Sequence, residues 1–84
     1  MSVWASIVET WKNVECGKDK TAAELLEMVD LCDIPIDVEA RTMHGRIIRL
    51  GKELRAQKDL PHAGHLIVPK TIDGRRLWRL QEKP

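Results

Sequence analysis

The spacing of apolar residues changes partway along this chain, and that change confines it to few folds. Up to about Lys58 the apolar positions recur at i, i+3, i+4 and i+7, the period of a helix with one buried face. Past the turn-rich stretch LPHAGH they fall in two short strand-like runs, LIVPK and RRLWRL, joined by TIDG. Each period buries its apolar set only in its own kind of element. The chain is therefore expected to be α+β, with helices first and one hairpin last.

Caps and breakers divide the helical part in three. Ser2 is placed to cap a helix over about residues 3–15, with Trp4, Ile7, Val8 and Trp11 on one face, and Gly17 is placed to stop it. Thr21 and Glu24 have the spacing of a capping box, and Leu25, Leu26, Met28, Val29 and Cys32 supply the apolar side of a second helix. Pro35 disfavours a helical Ile34, so a break is expected around residues 33–37. The third helix is read from Val38 or Arg41 to about Lys58, with Met43, Ile47, Leu50, Gly51 and Leu54 turned inward. In the hairpin, Asp73-Gly74 marks a two-residue turn, and Pro69 marks an edge strand or a strand end.

The 84 residues suffice for a single domain, read as 1–84, and 43% hydrophobic with 32% charged residues is ordinary for a globular chain. No apolar run approaches the length of a membrane span, and the N-terminus meets Glu9 before a signal-like core develops, so a cytoplasmic location is expected. Cys16 and Cys32 are accordingly read as free thiols. Charge is divided unevenly. Residues 1–40 hold three Lys against nine Asp and Glu, six net negative, whereas residues 41–84 hold eleven Lys and Arg against four acids, seven net positive. A division of this kind points to one surface that meets an anion.

Two constellations carry that expectation. Around RIIRLGKELR the third helix sets Arg41, Thr42, Gly45, Arg46, Arg49 and Lys52 opposite its apolar stripe, where arginine forks suit guanine edges and phosphates and small residues allow close approach. In IDGRRLWRL, strand alternation puts Arg75, Leu77 and Arg79 on one face and Arg76, Trp78 and Leu80 on the other, with Arg75 or Arg76 at the tip. Helix, helix, basic helix, hairpin is the chain order of a winged helix-turn-helix, three helices followed by a C-terminal wing. The expected partner is nucleic acid, duplex DNA first, met by Arg41, Thr42, Arg46, Arg49, Lys52, Arg55, Lys70, Arg75 and Arg76.

The strings RLGKELR (49–55), AGHLI (63–67) and LWRL (77–80) resemble the C-terminal winged-helix-like segment of phage- and plasmid-type primase-helicase proteins. The resemblance spans about the last 40 residues. It implies a DNA-binding accessory module in phage or plasmid replication or regulation, with Arg49, Lys52 and Arg55 toward nucleic acid and Leu50, Gly51, Leu54, Leu77 and Trp78 structural.

Other chemistries find less support. His62 and His65 with Cys16 and Cys32 make a formal zinc set, but the cysteines lack the close spacing of such sites, so no metal or other cofactor is expected. His44 reads as a surface histidine. No phosphate-loop or nucleophile motif is present, and Glu24, Glu27 and Asp30 read as a solvated acidic face, so no enzyme is expected. The competing reading is a small protein-interaction module, a homodimer or a phage-encoded inhibitor docking on a host protein. In that reading acidic helix two meets a basic surface, and Trp4 or Trp11 serves as an exposed anchor rather than core.

Overall fold

The computed structural model describes residues 2–82. Ser2 is extended, and its hydroxyl accepts the Ala5 amide at 3.1 Å, which starts α1 (Val3–Glu15). Cys16 and Gly17 then turn left-handed, and the Gly17 amide donates back to the Trp11 carbonyl at 3.1 Å, closing the helix. Trp4, Ile7, Val8 and Trp11 are all buried. Both tryptophans are thus core, and neither offers the exposed interface anchor of the competing reading. The Trp11 indole N–H is not orphaned there, since it donates to the Lys18 carbonyl at 2.7 Å.

Helix α2 (Ala22–Leu31) opens with the reciprocal box expected of Thr21 and Glu24: each backbone amide donates to the other's side chain, at 3.0 and 3.2 Å. Leu25, Leu26, Met28 and Val29 are buried, but Cys32 is exposed, a correction to its expected inward place. The helix ends one residue earlier, and Asp33 takes the left-handed cap conformation, with the Ile34 amide donating to the Val29 carbonyl at 3.0 Å. That geometry carries Cys32 off the buried stripe.

Helix α3 (Met43–Ala56) starts later than either expected residue, because Thr42 caps it by accepting the Gly45 amide at 3.0 Å. Val38 still reaches the core, from irregular chain ahead of the helix. Leu50 and Leu54 are fully buried and Ile47 packs against the core, whereas Met43, expected inward, is 57% exposed. It sits at the first helical position, before the stripe reaches the core.

The hairpin pairs β1 (His65–Ile72) with β2 (Arg75–Glu82), antiparallel, Ile72 opposite Arg75. Asp73 and Gly74 both have positive φ, 51° and 77°, the turn that a two-residue hairpin favours. Both strands outrun LIVPK and RRLWRL by a residue or two. Trp78 exchanges backbone bonds with Lys20, at 2.9 and 2.7 Å, so the linker between α1 and α2 lies along the free edge of β2. Because the Trp78 N–H and C=O both point to Lys20, its partner Pro69 stands at a site where β1 needs no donor. The proline is on the edge strand, as expected, and removes no ladder bond.

The molecule is α+β, three helices and a C-terminal two-stranded antiparallel hairpin, compatible with a winged helix. One core cluster draws on all five elements: the apolar faces of α1 and α2 close over Leu50, Leu54, Ile67 and Trp78. Among the described residues, no helix is long and apolar enough to cross a membrane.

Candidate nucleic-acid interface

The nine cations and cap residues expected to meet DNA differ in what they touch. Arg46 points back to α2, where its guanidinium donates two bonds to the Asp30 carboxylate, at 3.0 and 2.8 Å. This fork holds the Asp30 carboxyl below its ordinary pKa. Arg49 donates to the Glu39 carbonyl at 3.0 Å and stands 3.8 Å from Asp37, bracing the irregular chain before α3. Thr42 is the helix cap, with its hydroxyl already engaged. Gly45, read as an opening toward a groove of DNA, instead faces its own chain: a Cβ there comes within 3.0 Å of the Ala40 Cβ. Arg41 is exposed, just ahead of the cap.

In the hairpin, Lys70 and Arg75 share the face away from Trp78 and Ile67. That face also carries Arg79, whose guanidinium donates two bonds of 2.9 Å to Asp19. The Asp19 carboxyl is held low first by that hydrogen bond, with further help from the charges of Arg79 and Lys70. Glu24 is lowered chiefly by the Thr21 amide that caps it, with smaller contributions from Lys20 and Arg75. The salt-bridged arginines therefore link the basic half of the sequence to the acidic half within one molecule.

Three cations remain together. Lys52 and Arg55 on the C-terminal half of α3, with Arg76 of β2, line a groove of about 270 Å3 whose other walls are Ala22, Ile48, Gly51 and Trp78. Among the described residues, none of the three forms a salt bridge. Trp78 anchors the strand that carries Arg76, and Leu50 and Leu54 anchor the helix that carries the other two. Gly51 keeps the groove open: nothing lies within 4 Å of where its Cβ would stand. Ile48, 49% exposed, is the large apolar side chain among these cations, and it was not singled out from the sequence. The signal was there, since positions 48, 52 and 55 follow the i, i+4, i+7 spacing that stacks residues on one helix face.

The histidines and cysteines separate. His62 Nε2 lies 2.8 Å from Gln57 Oε1 with its ring tilted toward Trp4, and the buried His65 has Nδ1 3.0 Å from the Ala63 carbonyl. Cys16 and Cys32 stand exposed at the ends of α1 and α2. Among the described residues no three His, Cys, Asp or Glu side chains gather as a metal site.

No protein-family model, no curated protein and no solved structure matches the chain.

Proposed function

We propose that this protein is a winged-helix module that binds duplex DNA, with the C-terminal half of α3 entering the major groove and the hairpin as its wing. The observation that carries this reading is the convergence of Lys52, Arg55 and Arg76, from two elements apart in sequence, around one groove, with no salt bridge to any of them among the described residues. Cations left unpaired beside one another raise the local potential, and a polyanion with regular charge spacing is the ligand that relieves it. Ile48 among them suits a thymine methyl group, the one apolar feature of a major-groove edge. Lys70 and Arg75, on the other face of the wing, contact flanking phosphate and contribute less. Arg46 and Arg49 serve mainly to hold α3 in place. The resemblance of the last 40 or so residues points to phage or plasmid replication or regulation as the setting.

Fluorescence anisotropy with a labelled random-sequence duplex tests this, at about 50 and about 200 mM salt. Three neutralised phosphates give a slope of about −2.7 in log affinity against log salt, roughly a fortyfold loss between the two conditions. Replacing Lys52, Arg55 and Arg76 together by Ala should remove most of that dependence, with the fold checked by circular dichroism. Absence of binding at the lower salt, or binding indifferent to the triple change, refutes the reading.

A further inference from the structure

The other end of the junction between α2 and α3 is built differently. Ala23, Leu31, Met43 and Ile47 form the apolar walls of a second groove, about 340 Å3, with Glu27 and Asp30 at its rim. Leu31 is 78% exposed and Met43 57% exposed, although both are large apolar side chains. Single exposed aliphatics such as Val14 or Leu60 are ordinary, but two that line one concavity with a third beside them form a patch. The helix and loop on one side of it are rich in acids. From Thr21 to Ala40 the chain has six acids and no Lys or Arg, and Glu27, Asp33 and Glu39 form no salt bridge among the described residues. Of the arginines nearby in sequence, Arg46 is tied to Asp30, Arg49 stands 3.8 Å from Asp37, and Arg41 is exposed just ahead of α3.

We infer that this groove docks a basic amphipathic helix of a partner protein, with one or two aliphatic anchors seated on Leu31, Met43 and Ile47 and flanking Lys or Arg side chains set against Glu27 and its acidic neighbours. Charge selects the occupant: Glu27 stands at the rim without a salt bridge among the described residues, so an acidic helix or a polyphosphate is disfavoured and a basic helix supplies its partner. Methionine suits such a site, because its unbranched side chain adapts to the anchor it receives. The groove is open to solvent along one side and has room for anchor side chains, which suits the helix-in-groove mode of recognition. The inference stands apart from the DNA reading, since the two grooves share no residue.

The test is selection from a displayed library of amphipathic helices, randomised at anchors and flanks, against the full chain. Enrichment of Lys- and Arg-flanked aliphatic helices is expected. A selected helix, made as a labelled peptide, should lose at least about tenfold in affinity for L31S/M43S, the scale of truncating an interface anchor, and several-fold for Glu27→Lys. Both variants change exposed side chains, so the duplex-binding assay and circular dichroism report whether the rest of the molecule is intact. No enrichment, enrichment of acid-flanked helices, or affinity unchanged in L31S/M43S overturns the inference. Concentration-dependent self-association by sedimentation that L31S/M43S abolishes assigns the groove to a second copy and overturns it equally.

Discussion

At its N-terminal end α3 sends Arg46 into the carboxylate of Asp30; toward its C-terminal end it sends Lys52 and Arg55 beside Arg76, and among the described residues none of these three forms a salt bridge. The same residue type on the same helix is a strut in one place and an open charge in the other. What differs is the neighbour across the seam. Near Arg46, α2 presents Glu27 and Asp30; near Arg55 it presents its start, where Thr21 and Glu24 satisfy each other through the capping box. The basic half of the sequence reads as one anion-binding surface, but three of its eleven cations, Arg46, Arg49 and Arg79, are matched inside the molecule by Asp30, Asp37 and Asp19. A count of arginines therefore overstates the interface, and only unpaired ones offer phosphate a new partner.

The sharpest way to break this comparison is to remove each set in turn. Changing Lys52, Arg55 and Arg76 to Ala should lower duplex affinity at low salt by roughly two orders of magnitude and flatten the salt slope by about 2 to 3. Changing Arg46 and Arg79 to Ala should leave duplex affinity within about twofold, measured in the same titration. Equal losses from the two sets would erase the distinction between struts and open charges.

The second difference lies in stability against pH. Asp30 and Asp19 have depressed pKa values in the folded protein, so their pairing stabilises the fold above the ordinary carboxylate range and is lost as pH falls through the lowered values. The Arg46→Ala, Arg79→Ala protein should therefore show a lower urea midpoint than the parent at about pH 7, with the gap closing toward about pH 3. The three open cations should produce no such gap. A gap constant with pH would place the arginines' contribution in packing rather than in charge.

Smaller effects sharpen the picture at the basic groove. Thr21→Ala removes the hydroxyl half of the box at the start of α2, leaving the backbone amide of residue 21 to Glu24, and should cost about 1 kcal/mol by urea unfolding. Gly51→Ala should stabilise α3 by about 0.5–1 kcal/mol, since its Cβ enters open space and glycine is a poor residue mid-helix. If phosphate approaches the helix backbone there, the same methyl should weaken duplex binding several-fold. Gain in stability with loss of binding separates a groove kept open for a ligand from one left by chance.

Ser2, the Thr21–Glu24 box, Pro35 and Asp73-Gly74 are local devices, and each set its element near the expected place because it acts on backbone within a few residues. The apolar period likewise determined which faces of α1 and α2 are buried, and the change of period determined the hairpin. Two ends were misjudged for local reasons as well: Thr42 rather than Val38 or Arg41 starts α3, and Asp33 ends α2 before Cys32 can turn inward. What only the tertiary structure decided is the fate of the charges. Asp19 finds Arg79, Asp30 finds Arg46, and Lys20 bridges Trp78, because packing α1, α2 and the hairpin on one core brings distant segments side by side. Sequence position sets the sign of a side chain's charge, but whether that charge faces a partner, a carboxylate or a ligand depends on distances that only packing creates.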